Sequence, residues 1–243
     1  MKAIVTVLLL FFIFSKDVIS QRNTHPNVLL IMVDDLNDWV GCMGGHPNAL
    51  TPNIDRLAEE GVLFTNAHTA APICNPSRTA LLSGVAPYRS GVYMNWDAWH
   101  MSEVLEEINF LPLHFRNNGY YTMMGGKIFH SKPKNLDEAF DENAGNFGGI
   151  NSRLMSKEYT YPFAELAGIH NYAVHWGPLD KPESDQLSDQ KTAAWAIEKL
   201  EQQHDKPFFL AVGFYRPHTP LTAPREFFER FKKEEVYLPL INE

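Results

Sequence analysis

Residues 27–35 read Asn27-Val28-Leu29-Leu30-Ile31-Met32-Val33-Asp34-Asp35, an apolar run closed by two adjacent carboxylates. A run of strand formers without polar alternation predicts a strand buried on both faces, as in a parallel sheet. The chain is therefore expected to be α/β. Open α/β sheets place their ligand sites just beyond the C-terminal ends of their strands. Two acids at that point suit a hard divalent cation with oxygen ligands. A solvated loop start would account for one aspartate there, and less well for two.

Outward from this strand, Thr51 to Gly61 carries the punctuation of a helix. Thr51 caps it, Pro52 opens it, Ile54, Leu57 and Ala58 share a face, and Gly61 ends it. Val62 to Ala67 reads as a second strand, which delivers the chain to Cys74-Asn75-Pro76-Ser77-Arg78 and on to Gly84. Pro76 fits a first helical turn, where its missing N–H costs nothing. Cys74 then sits at a helix N-terminus, facing free N–H groups and the positive end of the dipole. Such a place binds anions and is expected to lower a thiol pKa. Arg78, one turn on, adds a fixed cation suited to a tetrahedral oxyanion.

Further along, Val85 to Met101 reads as a loop with Tyr88, Tyr93, Trp96, Trp99 and His100, aromatics able to stack on a sugar ring or to tuck onto the core. Leu111 to Asn118 predicts a short helix and Tyr120 to Met124 a strand, followed by Gly125-Gly126-Lys127-Ile128-Phe129-His130. Residues 131–183 show no clear period and read as a long insertion over the site, the part expected to set substrate choice. Ser188 to Gln203 has helical spacing. Pro207 to Phe214 is another buried strand, delivering Tyr215-Arg216-Pro217-His218, and Glu226 to Lys232 a short surface helix.

The eleven residues from Cys74 to Gly84 resemble the signature of the type I sulfatases, Cys-x-Pro-Ser-Arg-x-x-x-Leu-x-Gly. The strand ending in Asp34-Asp35 is similar to that family's opening. Gly126-Lys127-Ile128-Phe129-His130 resembles the Gly-Lys-x-x-His element of iduronate-type sulfatases, and His218 matches a histidine after a late strand. The resemblance implies an αβα sandwich of the alkaline-phosphatase-like superfamily, with a mostly parallel, mixed central sheet. It implies calcium held by Asp34, Asp35 and residue 74, with Cys74 converted to formylglycine by a separate formylglycine-generating enzyme. Arg78 and Lys127 would stabilise charge on the sulfate oxygens, His218 would protonate the departing alcohol and also contact substrate, and His130 would take a proton from the second hydroxyl of the nucleophile. The implied substrate is a sulfated carbohydrate. Two alternatives stay open: a non-catalytic remnant that at most binds sulfated or phosphorylated sugars, and a phosphodiesterase or phosphonate hydrolase of the same superfamily.

Composition bounds these readings. With 44% hydrophobic and 12% aromatic residues in 243, the chain has material for a sizeable core. A net charge of −8 argues against non-specific nucleic-acid binding and leaves recognition of a sulfated group to local cations. Residues 1–20 read as a secretory leader: Lys2, an apolar run from Ala3 to Phe14, and small residues before Gln21. The expectation is a secreted or periplasmic protein, in a lysosome-like compartment if eukaryotic, with residues 21–243 as the N-terminal portion of a catalytic domain. The family's second half adds an Asp followed by Asn or His, and a further lysine. Nothing beyond His218 supplies these, so a C-terminal half is an expected partner. In an oxidising compartment the two cysteines, Cys42 and Cys74, could also pair, which would exclude a role for Cys74.

Overall fold

The computed structural model describes residues 25–133, 136–147, 176–179 and 187–238. The expected leader at 1–20 and much of the stretch 131–183 lie outside them. Along the chain come β1 (Val28–Val33), α1 (Pro52–Glu60), α2 (Cys74–Ser83), α3 (Pro87–Ser90), α4 (Glu103–Glu106) and α5 (Leu111–Asn117). There follow β2 (Tyr121–Gly126), α6 (Leu136–Ala139), β3 (Glu142–Asn143), β4 (Trp176–Leu179), α7 (Ser188–Glu201), β5 (Phe208–Phe214), β6 (Leu221–Pro224) and α8 (Arg225–Phe228).

The central sheet has the order β1-β5-β2-β3, and its described strands all run parallel. A second, two-stranded parallel sheet joins β4 to β6. Part of the stretch expected to be an insertion is thus woven into sheet structure. Alternate residues of β5 feed two cores: Phe209 and Ala211 on one face, Phe208, Leu210 and Val212 on the other. The first face packs against Leu82 of α2, Leu105 of α4 and the α5 side chains, with Phe115 stacked on Phe209 at 4.4 Å. The second is covered by Trp195 and Ala196 of α7. Helices on both faces of a parallel sheet make the αβα sandwich that the family resemblance implied, on the parallel sheet that the apolar runs predicted.

Three local expectations are corrected. First, β1 is not buried on both faces, since Leu29 and Ile31 are 43% and 50% exposed. They share a face with Leu210 and Val212 across the ladder, but α7 packs over β5 and β2, and β1 is an edge strand. Second, residues 62–67 form no strand: Val62 and Phe64 stand exposed, because strand propensity without a partner edge yields no ladder. Third, the Thr51 hydroxyl caps no α1 amide. It accepts the Gly41 amide at 2.7 Å and donates to Asp55 at 3.0 Å, tying the 41–43 turn to the helix. The apolar face of α1 is uncovered as well, with Leu57 65% exposed.

Candidate active site

Four chain segments converge beyond the C-terminal edge of the central sheet. β1 ends in Asp34 and Asp35, α2 begins with Cys74, β2 runs into Lys127, and β5 leads to His218. Two glycines allow the close approach of β2 and β5. Gly126 has φ +80°, and a Cβ on it would lie 2.0 Å from the Gly213 carbonyl oxygen. A Cβ on Gly213 would lie 2.1 Å from the Lys127 oxygen. With neither present, the Lys127 amide bonds the Gly213 carbonyl at 2.9 Å, which fixes where the lysine side chain starts.

Asp34 is the electrostatic centre. Its carboxylate receives Arg78 Nη2 at 2.7 Å and the Lys127 ammonium, with all three side chains buried. Burial alone would raise the Asp34 pKa, but hydrogen bonds and charge from Arg78 and Lys127 outweigh it and hold the carboxyl below its ordinary value. Arg78 Nη1 also donates to the carbonyls of Lys127 and Ile128, so the guanidinium pins β1, α2 and the β2 exit together. Lys127 Nζ lies 3.8 Å from Cys74 Sγ, and Cys74 Sγ lies 3.9 Å from Asp34 Oδ2.

The Cys74 thiol departs from expectation. Burial raises its pKa, and the carboxylates of Asp34 and Asp35 oppose the pull of Lys127 and Arg78. The helix start does not make it a thiolate. Cys42 and Cys74 are both free, so no disulfide joins them.

His218 Nδ1 faces the Thr219 carbonyl, which leaves Nε2 turned to Asp35, 3.8 Å from its Oδ2. Asp35 adopts φ +59° as the chain leaves the strand. His130 stands at the rim of the same site. Partial burial, then the charges of Lys127 and Arg78, lower its pKa, so the ring is neutral at pH 7. All seven sequence-predicted residues therefore occupy one neighbourhood.

Oxygen, sulfur and nitrogen atoms of Asp34, Cys74 and His218 come within 4.8 Å of one another, with Asp35 adjoining. Two carboxylates fit a hard divalent cation. An ionised carboxylate has about four lone-pair sites, so Asp34 can serve Arg78, Lys127 and a metal together. The Cys74 sulfur is the poor member of that donor set, and an oxygen in its place would fit better.

Sequence reasoning missed three supporting residues. Asp189, in the first turn of α7, accepts the amides of Tyr215 and Arg216, each at 2.8 Å, and so holds the turn that carries His218. The Tyr215 ring lies under Lys127 Nζ, 5.2 Å from its centroid. Asn75, fully buried beside Cys74, holds the 94–97 loop through the Met94 and Asp97 carbonyls. An acid opening a helix was a visible signal for Asp189; the other two depend on contacts distant in sequence. Of the loop aromatics, Trp99 belongs to the core, packed edge-on against Phe110 and Phe129, while Tyr88, Tyr93 and Trp96 are exposed.

The chain is similar to known proteins in sequence and in fold. A sulfatase of Formosa agariphila is 36% identical over 233 residues, covering 92% of this chain and 45% of the relative. Human iduronate 2-sulfatase is 34% identical over 220 residues, covering 87% of this chain and 38% of the relative. The chain thus spans less than half the length of these curated relatives. The crystal structure of a phosphonate monoester hydrolase from Agrobacterium radiobacter superposes with a TM-score of 0.63 over 88% of this chain and 45% of that one. At 22% identity, that likeness is one of fold. No helix among the described residues is long and apolar enough to cross a membrane. The sulfatase family model matches residues 26–239, almost the entire described structure, and the chain belongs to that family.

Proposed function

We propose that the protein hydrolyses a sulfate ester on a sulfated sugar or glycosaminoglycan-like substrate, with formylglycine made from Cys74 as nucleophile and calcium held by Asp34 and Asp35. The observation that carries this reading is the meeting of Cys74 with the Asp34 carboxylate and the Lys127 ammonium, on a chain of the sulfatase family. The raised thiol pKa supports it, because Cys74 unmodified is a poor nucleophile. A cysteine attacking sulfur would also end as a stable thiosulfate ester.

Calcium would supply a Lewis acid for a sulfate oxygen, and formylglycine a hydrated aldehyde whose second hydroxyl permits turnover. The chain's own residues do the rest. Lys127 Nζ, between Asp34 and position 74, is placed to meet a sulfate oxygen, and Arg78 adds fixed charge while holding Asp34 and the Lys127 backbone. His218 Nε2 can hold a proton for the departing alcohol, and neutral His130 can accept one at its ring nitrogen. Asp34 and Asp35 balance Arg78 and Lys127 in formal charge. A bound divalent cation therefore decides whether the pocket attracts an anion. Export through residues 1–20 and maturation by a formylglycine-generating enzyme complete the proposal.

The test is to produce the protein with a formylglycine-generating enzyme and examine the Cys74 peptide by mass spectrometry. Aryl sulfate and aryl phosphodiester turnover are then measured with calcium and after chelation. An aldehyde at Cys74 with calcium-dependent sulfate release is expected. A Cys42–Cys74 disulfide, or hydrolysis of the phosphodiester alone, would overturn the reading.

A further inference from the structure

Asn75 has no role in the chemistry above, yet it is among the most completely enclosed side chains in the protein, at 1% exposure. Its amide nitrogen donates to the carbonyls of Met94 at 2.9 Å and Asp97 at 2.7 Å. Its backbone N–H donates to Asn95 Oδ1 at 3.0 Å, and its own Oδ1 accepts the Ser131 amide at 3.2 Å. A single side chain adjacent to Cys74 thus holds two carbonyls of one loop and the residue following His130.

The loop is also closed on itself. Asp97 Oδ2 accepts the amides of Tyr93 and Met94 at 2.7 and 2.8 Å, and the Asp97 amide returns to the Met94 carbonyl. With both carbonyls turned inward to Asn75, and Asn95 also bonded to it, the other residue between them, Trp96, is 79% exposed, and Tyr93 is 53% exposed. A tryptophan displayed on a loop so heavily hydrogen-bonded is not exposed through slack. Its large neutral face, with an N–H at one edge, is suited to cover a sugar ring.

We propose that residues 93–97 form a saccharide platform in which Trp96 stacks on the sugar bearing the sulfate, and that Asn75 is the positioning residue holding this platform beside residue 74. The proposal rests on the sulfatase reading and names the part of the site that reads the sugar. Because Asn75 also holds Ser131, the platform and the His130 segment are positioned by one amide group.

The experiment measures binding to the full chain in calcium buffer by calorimetry. The two probes are a uronate 2-O-sulfated disaccharide and inorganic sulfate. Trp96→Ala, at an exposed position that leaves folding intact, is expected to weaken the disaccharide at least about tenfold and to change sulfate affinity less than about twofold. Trp96→Phe should restore most of the loss. Asn75→Ala, checked for folding by circular dichroism, should weaken the disaccharide similarly and speed hydrogen exchange at residues 94–97. Unchanged disaccharide affinity in Trp96→Ala, or equal losses for both probes, would overturn the platform while leaving the sulfatase reading in place. A chain that binds neither probe would overturn both.

Discussion

Arg78 and Asp34, 44 positions apart, meet at 2.7 Å with both side chains about 95% buried, and this ion pair joins the strand that opens the sheet to the helix that opens with Cys74. Removing one member of a buried pair leaves a charge without its partner, at a cost of about 3–5 kcal/mol. Lys127 still faces Asp34, so Arg78→Ala is expected to destabilise by about 3 kcal/mol in urea titration. Arg78→Lys should recover less than half of that, since an ammonium cannot also reach the carbonyls of Lys127 and Ile128 in the same fork. A loss below about 0.5 kcal/mol for Arg78→Ala would show that the pair is not a structural pin.

Gly213→Ala tests the approach of β5 to the Lys127 backbone. Its methyl would lie 2.1 Å from the Lys127 oxygen, and backbone cannot rotate aside. Overpacking of this kind costs about 1–3 kcal/mol, and the upper end is expected here, together with weakened sulfate binding as Lys127 shifts. Gly119→Ala is the comparison: φ is +85° but nothing lies within 4 Å, so about 1 kcal/mol of backbone strain and unchanged sulfate binding are expected.

The exposed face of β1 predicts association. Leu29 and Ile31 lie on an edge strand, and Leu57, Val62 and Phe64 expose further apolar surface elsewhere on the chain. Light scattering behind size exclusion is expected to show oligomers whose fraction rises with concentration. Ile31→Lys should lower that fraction without lowering the melting temperature. A monodisperse wild type would refute the expectation.

Acid stability is tested at Glu142. Its carboxylate meets Lys199 Nζ at 2.8 Å and accepts the Tyr121 hydroxyl, and these contacts, Lys199 first, hold its pKa below the ordinary 4.5. A folded-state pKa below the unfolded one stabilises fully above about pH 4.5 and ceases to do so as pH falls through the folded value. Wild type should exceed Glu142→Gln by about 0.5 kcal/mol at pH 7, a figure typical of partly exposed pairs, and the gap should shrink as pH falls below the ordinary 4.5 and through the lowered folded value. A gap independent of pH would assign the effect to packing.

Much of the fold was legible because it rests on local pattern. The apolar runs at 28–33 and 208–214 form strands, and the Pro76 segment opens a helix at Cys74. The candidate site was legible for a related reason: each of its residues follows a strand or opens a helix, and a parallel sheet brings such ends to one edge. What local pattern could not decide was everything that depends on a partner. Residues 62–67 have strand composition and no ladder. Trp96 and Trp99 sit three positions apart in one aromatic loop, yet one is displayed and the other packed against Phe110. The Cys74 thiol has the helix start that lowers a pKa, but enclosure and two carboxylates from β1, some 40 residues earlier, raise it instead. Order along the chain thus determined the elements and which residues stand at their ends. Burial, charge balance and the role of Asn75 were decided only by the tertiary structure, because desolvation and Coulomb energy depend on distances between groups that chain order leaves undetermined.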